Sequence, residues 1–177
     1  MGQLLRVLNL TKVYTVGFFS RKNIVAVDDV SFLLERREII SIVGESGSGK
    51  TTLAKIVLRL LPPTSGSVLF EEKNVWELKK KDELKWYWSQ VHGVLQDPYA
   101  SFNPMYRVGR ILYQALRLLD ENRVQDPDEV VREALKQVGL NPDYVLNKYP
   151  HELSGGMRQR IMLARCFMLK PKLVIAD

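Results

Sequence analysis

The chain has 177 residues, of which 46% are hydrophobic and 26% charged, a composition that suffices for a globular domain with a hydrophobic core. Its net charge of +6 is compatible with nucleic acid, an anionic membrane surface or simply a solvated exterior. No base-stacking motif accompanies the charge, so we expect no nucleic-acid partner. No apolar run approaches the roughly 18 residues of a membrane span, and the N-terminus lacks the apolar segment of a secretory signal.

The single cysteine, Cys166, excludes an internal disulfide and fits a reducing cytosol. It lies in the apolar run of residues 161–169. We therefore expect a buried structural thiol.

The first 38 residues have the patterning of strands. Residues 3–9 alternate between apolar and polar side chains, and residues 25–34 read as one or two strands that break at Asp28 and Asp29. A charged turn at residues 35–38 follows. This start of the chain is predicted to be rich in antiparallel strands.

A glycine-rich motif lies between an apolar run at residues 39–43, which predicts a strand, and an apolar helical pattern at residues 53–61. The motif fits G-x-x-x-x-G-K-[ST] in the strand–loop–helix context of a phosphate loop. Lys50 is expected to reach the β- and γ-phosphates, and the Thr51 hydroxyl to ligate Mg²⁺. The chain is therefore predicted to bind a nucleoside triphosphate at the positive end of a helix. The candidate binding residues are Gly44, Glu45, Ser46, Gly47, Ser48, Gly49, Lys50, Thr51 and Thr52.

The middle of the chain continues with mixed elements. The helix after the glycine motif is expected to end at Pro62 and Pro63. A short strand at 67–70, a polar helical segment at 79–85 and a strand at 91–95 follow.

Three helices and a last strand complete the pattern. The first helix is predicted over 108–119, and the second begins at the N-cap Asp126 and stops at Gly139. The third runs from Ser154 to Leu169 and precedes a strand at 172–177. Because strands alternate with helices in the second half, the core sheet is predicted to be parallel.

A second specific motif, Leu153-Ser154-Gly155-Gly156-Met157, opens the third helix. Ser154 is suited to cap this helix, and the two glycines leave its first N–H groups open to close approach. The motif is therefore either a second anion site or an ordinary capped helix. One nucleotide has a single γ-phosphate and would not need two phosphate sites in one copy. Two copies packed head to tail explain both sites, because each phosphate loop then faces the Ser154 helix of the other copy.

Together these motifs resemble the nucleotide-binding subunit of ABC transporters along essentially the whole chain. The phosphate loop matches the Walker A motif, residues 153–157 resemble the family signature, and residues 173–177 look like Walker B. Gln96 sits where the family has its Q-loop glutamine, and Tyr14 where it has an aromatic that stacks on adenine. The resemblance implies an α/β fold: a P-loop NTPase (RecA-like) core with an N-terminal antiparallel β subdomain and an inserted α-helical subdomain.

The same resemblance implies a single domain over 1–177, divided into 1–96 (β-rich part and P-loop core), 97–153 (helical subdomain) and 154–177 (signature helix and Walker B strand). It implies ATP and Mg²⁺ as cofactors. The residues that it places in catalysis are Lys50, Gln96 and Asp177, and those that it places at the metal are Thr51, Gln96 and Asp177.

Within the family, Gln96–Pro104, Tyr149–Glu152 and Met157 are similar to the oligopeptide and dipeptide importers and their nickel-importing relatives. Relatives of this type also import oligosaccharides, so the resemblance does not identify the substrate. The resemblance implies a second ATPase subunit, permease subunits that dock near Gln96–Pro104, an indirect solute-binding protein and a peripheral position on the cytoplasmic face of the membrane. Tyr99 and Phe102 are expected to be exposed docking anchors.

The chain departs from the family pattern at Asp177, where it ends. The family places its presumed general base, a glutamate, directly after this aspartate, and a switch histidine later. We therefore expect a fold that is incomplete at the C-terminus, an ATPase as the full subunit and no turnover by this chain alone. The alternatives are a nucleotide-binding fragment without turnover and a non-transport ABC ATPase acting on DNA or ribosomes; the short, heptad-free stretch 97–153 disfavours the latter.

Overall fold

The computed structural model describes residues 2–17, 21–94, 102–119 and 124–177. It contains two compact units, Met1–Lys80 and Lys81–Asp177. Within those ranges no helix is both long and apolar enough to cross a lipid bilayer.

The elements in chain order are β1 (Gln3–Val16), β2 (Lys22–Glu35), α1 (Lys50–Val57), β3 (Ser65–Phe70), β4 (Lys73–Asn74), α2 (Lys81–Gln90), β5 (Val91–Val94), α3 (Val108–Leu116), α4 (Pro127–Gln137), α5 (Pro142–Val145), a 3-10 turn (Pro150–Glu152), α6 (Gly155–Leu169) and β6 (Leu173–Ala176).

The first unit is built on an antiparallel sheet in the order β2-β1-β3-β4, as the sequence predicts. The expected break at Asp28 and Asp29 is an irregularity within one continuous strand, because β2 keeps pairing with β1 on both sides of it. Asp29 and Asn9 both have positive φ angles there, which these residue types tolerate. The Asn9 side-chain amide donates to the Asp29 carboxylate at 2.8 Å, and this bond joins the two strands at the irregularity.

Helix α1 buries the apolar face that its sequence pattern predicts, with Leu53, Ile56 and Val57 inside. The helix ends at Val57 and not at Pro62 as predicted, because Arg59 has a positive φ of 60°, and Leu60 of the predicted apolar face is 61% exposed. The guanidinium of Arg59 then donates to the carbonyl of Val75 at 2.7 Å and ties the end of the helix to the chain after β4. The unit's buried core comprises Leu4, Leu5, Val7, Leu10, Val27, Leu34, Leu53, Ile56, Val57, Leu58, Val68, Phe70, Val75 and Leu78.

The strand predicted over residues 39–43 is wrong for this structure. The segment has no regular secondary structure, and Ile39 and Val43 are 92% and 91% exposed. An extended segment becomes a strand only when a neighbouring backbone completes its hydrogen-bond ladder. In the ranges that the structure covers, no strand pairs with this segment.

The second unit contains a parallel strand pair, which confirms the predicted parallel arrangement. β5 and β6 pair from Val91 with Leu173 to Val94 with Ala176. The Asp177 N–H donates to the Val94 carbonyl at 3.0 Å and continues the ladder past the end of β6. The residue after the strand is thereby fixed in position.

The helices of the second unit share one hydrophobic core. Side chains of α3, α4, α5 and α6 meet around Leu112, Leu135 and Ile161, which are almost fully buried. Helix α6 therefore packs in the same core as the helices of residues 102–153. Helix α5 was not predicted, although Asn141 and Pro142 carry the same start signal as Asp126 and Pro127.

Cys166 is buried on α6, which confirms the structural thiol that the sequence predicts. Burial raises the pKa of this thiol. Because the thiolate is the reactive form, burial keeps this cysteine inert at neutral pH.

Candidate functional site

The phosphate loop is positioned by the start of α1. Gly49 is the N-cap, and the first helical hydrogen bond runs from the Leu53 N–H to the Gly49 carbonyl at 2.9 Å. The amides of Lys50, Thr51 and Thr52 precede that bond and have no partner within the helix. They lie at the positive end of the helix dipole, which is a favourable place for an anion.

Two constraints require glycine at Gly49. Its φ of +91° lies in the left-handed region, and a Cβ there would lie 1.9 Å from the carbonyl oxygen of Ala26 on β2. Only a residue without a side chain brings the loop this close to the strand. The close approach to β2 sets where the first turn of α1 begins.

Lys50 lies over the loop rather than extending away from it. Its Nζ donates to the carbonyl of Gly44 at 2.9 Å, to the carbonyl of Glu45 at 2.6 Å and to the hydroxyl of Ser48 at 3.3 Å. These three acceptors match the three donors of an ammonium group. A phosphate oxygen is a stronger, charged acceptor for the same donors. The Lys50 ammonium therefore lies where its hydrogen bonds to neutral carbonyls can be replaced by hydrogen bonds to phosphate oxygens.

The Ser154 motif forms the capped helix start that the sequence predicts. Ser154 is the N-cap of α6, and its hydroxyl accepts a hydrogen bond from the Met157 N–H at 3.3 Å. Ser154, Gly155 and Gly156 are exposed, and a Cβ at Gly156 would meet nothing within 4 Å. The first turn of α6 is therefore open to close approach by an anion.

A buried arginine that sequence reasoning missed supports this helix start. The Arg158 guanidinium donates to the carbonyls of Pro150 and Leu153 at 2.9 and 2.8 Å. Just upstream, the Tyr149 N–H donates to the Glu152 carboxylate at 2.7 Å, which lowers the pKa of Glu152. The available signal was a charged residue among the buried positions of α6. Together these bonds fix the chain that leads into the Ser154 cap.

The remaining candidate residues that the structure describes lie on other elements of the chain. Asp177 is exposed directly after β6, and Tyr14 on β1 is 37% exposed with the Lys12 Nζ 5.4 Å from its ring centre. Gln96 lies outside the described residues. The loop belongs to the unit Met1–Lys80, whereas Ser154 and Asp177 belong to the unit Lys81–Asp177. In the ranges that the structure covers, no three His, Cys, Asp or Glu side chains cluster as a metal site.

The expectation of an exposed Phe102 is wrong. Phe102 is 6% exposed and belongs to the helical core of the second unit. Its side chain is buried in one cluster with side chains of α3, α4 and α6, because removing apolar area from water is favourable. Tyr99, the other expected anchor, lies outside the described residues.

Comparison with known proteins decides the family. The family model described as "ABC transporter" matches residues 27–177. The chain belongs to the ABC transporter family. A solved ABC cassette, the dimeric MJ0796 in a post-hydrolysis state bound to ADP and Pi, superposes with a TM-score of 0.82 at 26% identity, covering 98% of this chain and 73% of that one. The ABC ATPase fold and its antiparallel β subdomain are thus as the sequence predicts.

The curated ABC relatives are named as peptide transport proteins. A "probable peptide ABC transporter ATP-binding protein" of Sinorhizobium fredii is 41% identical over 98% of the chain and 50% of its own length. The oligopeptide transport ATP-binding protein AppF of Bacillus subtilis is 40% identical over 91% of the chain and 49% of its own length. SapF of Salmonella typhimurium, a peptide transport system ATP-binding protein, is 38% identical over 98% of the chain and 64% of its own length. The chain spans about half the length of the first two relatives.

Proposed function

We propose that this ABC chain belongs to an ATPase subunit that drives the import of peptides or related solutes through a membrane permease. The observation that carries the proposal is the phosphate loop, which combines the open amides at the start of α1 with a Lys50 ammonium bonded to the carbonyls of Gly44 and Glu45. The peptide class follows from the names of relatives near 40% identity.

The loop residues have distinct roles in this proposal. The amides of Lys50, Thr51 and Thr52 bind phosphate oxygens, and the Lys50 ammonium neutralises the β- and γ-phosphates. The exposed Thr51 hydroxyl and Asp177 carboxylate supply oxygen ligands, which suit Mg²⁺. When bound, Mg²⁺ supplies positive charge that neutralises the oxygens of the β- and γ-phosphates. The Gln96 side chain senses the metal and the attacking water, and Tyr14 stacks on adenine.

A second copy of the subunit completes the site. The open first turn of α6 at Ser154, Gly155 and Gly156 is the anion site that contacts the γ-phosphate bound to the opposite copy. ATP favours the closed head-to-tail pair because only there do both phosphate sites contact it. Hydrolysis removes the γ-phosphate bridge and lets the pair open.

The paired subunits contact the membrane permease through their helical subdomains. Permease subunits dock near Gln96–Pro104, where Asn103 and Pro104 are exposed. The subunit is peripheral on the cytoplasmic face, and a solute-binding protein delivers the substrate indirectly. The three-part division 1–96, 97–153 and 154–177 describes these roles: nucleotide, permease and second-copy contacts.

The nucleotide site is tested by replacing Lys50 with alanine. Loss of a charged partner for phosphate weakens binding by roughly 2–4 kcal/mol. Isothermal titration with Mg-ATP measures the dissociation constants of wild type and Lys50→Ala. The matched control is Lys55→Ala, which removes an exposed lysine one turn later on the same helix.

The Lys55→Ala control is expected to leave ATP affinity within about twofold of wild type. Lys55 is exposed and lies one turn beyond Lys50, so solvent and salt largely screen its charge from the phosphates. Equal affinities for wild type and Lys50→Ala refute the proposed site. Equal losses in both variants assign the effect to the fold of α1 rather than to phosphate binding.

A further inference from the structure

Lys12 lies against the ring of Tyr14, and no proposed step uses this lysine. The two residues are two apart on β1, so their side chains can share one face of the strand. The Lys12 Nζ lies 5.4 Å from the Tyr14 ring centre, within the range of a cation–π contact. The same ammonium donates a hydrogen bond to the carbonyl of Pro62 at 2.7 Å. Lys12 therefore connects the Tyr14 ring with the segment that follows α1.

The segment after α1 also binds the backbone of β1 at this point. The Val13 N–H donates to the Thr64 hydroxyl at 2.9 Å, and the Thr64 N–H donates to the Thr11 carbonyl at 2.8 Å. These two bonds lie directly beside the bond from Lys12 to Pro62. Because they fix the two segments relative to each other, the Pro62 carbonyl is a defined anchor for the Lys12 ammonium.

A β-bulge in β2 connects the same part of β1 to the phosphate loop. The consecutive residues Lys12 and Val13 pair with the β2 residues on either side of Ala26, so Ala26 is the extra residue of the bulge. Its carbonyl oxygen is the atom that a Cβ at Gly49 would approach to 1.9 Å. The strand that contacts the phosphate loop thus also pairs with the residues that carry the Tyr14 ring. A nucleotide can therefore reach both from one side of the sheet only if this strand pair keeps its geometry.

The contact with Lys12 distinguishes the two faces of the Tyr14 ring. A cation is attracted to the electron-rich face that it covers. Tyr14 is nevertheless 37% exposed, so part of its surface remains accessible. A purine stacks on an aromatic face and needs no particular hydrogen-bond partner there.

We propose that Lys12 is a positioning residue for the base of the nucleotide: its ammonium, anchored on the Pro62 carbonyl, holds the Tyr14 ring so that a purine stacks on the face opposite the cation. Lys12 touches the ring and not the base. Fixing the ring before binding reduces the conformational entropy that is lost when the base stacks. This inference rests on the proposed function and deepens it, because it adds the residue that sets the geometry of the Tyr14 stack.

Direct pairing of Lys12 with a phosphate fits these observations less well. The ammonium would have to leave both the Tyr14 ring and the Pro62 carbonyl to reach a phosphate. Stacking of a base on Tyr14 keeps both contacts. The phosphates also have other donors in the proposed site, the amides at the start of α1 and the Lys50 ammonium.

The test compares Mg-ATP with Mg-tripolyphosphate, which has the phosphates but no base. Isothermal titration measures both dissociation constants for wild type, Lys12→Met and the matched control Lys22→Met, which removes an exposed lysine from β2 of the same sheet. Lys12→Met keeps the chain length without the ammonium. It should weaken ATP binding about three- to fivefold and tripolyphosphate binding by less than about twofold. Lys22→Met should change neither. Lys12→Arg should bind ATP like wild type, since a guanidinium also covers a ring and donates to a carbonyl.

A double-mutant cycle shows whether Lys12 acts through the ring. Tyr14→Leu should weaken ATP binding roughly tenfold, and adding Lys12→Met to it should weaken binding no further. Additive losses overturn the inference, and so does an ATP dissociation constant unchanged in Lys12→Met. Equal losses for ATP and tripolyphosphate also overturn it, because they assign the lysine to the phosphates or to the fold. Wild-type ATP affinity in Tyr14→Leu overturns this inference alone, whereas wild-type ATP affinity in Lys50→Ala refutes the proposed function.

Discussion

Gly49 and Gly47 share a backbone conformation but differ in their surroundings, so they form a matched pair. Their φ angles are +91° and +84°, whereas a Cβ would clash with the Ala26 carbonyl only at Gly49. Gly47→Ala should cost about 1–2 kcal/mol of stability through backbone strain alone. Gly49→Ala should cost roughly 1–3 kcal/mol more, because the loop must move off β2. Urea unfolding of both variants measures the difference, and equal midpoints would show that contact with β2 does not hold the loop.

His92 gives the second unit a predicted pH dependence. Burial, and to a smaller extent the charge of the nearby Arg165 guanidinium, lowers the pKa of His92 from 6.5 to about 4. Between these two pH values the unfolded chain binds a proton that the folded chain does not, so stability falls as pH decreases from 6.5 toward 4. The full loss is about 3 kcal/mol. Unfolding of wild type and His92→Leu at a series of pH values should show a shallower slope in the variant over this window. Parallel slopes would contradict the burial of a neutral histidine.

Single residues show where sequence reasoning succeeded and where it could not. Lys50 and Ser154 were predictable because a motif fixes their places relative to a helix start. Phe102 was misjudged because its turn-forming neighbours indicate a loop but not which side chains point inward. Arg158 was missed because its burial depends on the carbonyls of Pro150 and Leu153, which accept from its guanidinium only once the turn before α6 has folded.

The cap of α4 offers a test at the scale of one element. The Asp126 carboxylate accepts from the N–H groups of Asp128 and Glu129 at 2.9 and 3.1 Å. Asp126→Ala should lower the free energy of unfolding by about 1 kcal/mol, because both amides lose their acceptor. Asp126→Asn keeps an acceptor oxygen without the charge, and thermal unfolding should place it close to wild type. If Asn and Ala behave alike, charge rather than capping stabilises the helix.

Helix boundaries were predictable because their signals are local. Asp126 and Gly139 bound α4 in the structure as in the sequence, since capping and a positive φ involve neighbouring residues only. Strand formation at residues 39–43 was not predictable in the same way. A strand needs a partner backbone from elsewhere, and an apolar run does not reveal whether one lies beside it.

At the scale of the whole molecule, the order of motifs sufficed to predict the family. The family model matches residues 27–177, a range that contains the phosphate loop, the Ser154 motif and the terminal strand in that order. The packing of α6 with the helices of residues 102–153 was harder to predict from the sequence. It depends on a core shared among four helices, which no single motif encodes.

The apolar run at residues 39–43 makes the last prediction, that this 177-residue chain self-associates without nucleotide. The run combines four β-branched aliphatic residues with no charge and no proline, and its two ends are almost fully exposed. Such a segment pairs readily with a copy of itself, since pairing satisfies its backbone and buries its side chains. Light scattering should therefore show a mass that rises with concentration in the absence of ATP. The double change Ile39→Lys and Val43→Lys should reduce that rise, because opposed like charges disfavour pairing. The matched control, Val16→Lys with Val25→Lys, alters exposed residues whose backbones already pair between β1 and β2, and it should leave the association intact. A monomer at every concentration would contradict the prediction, and an equal effect of both double variants would assign the association to overall charge.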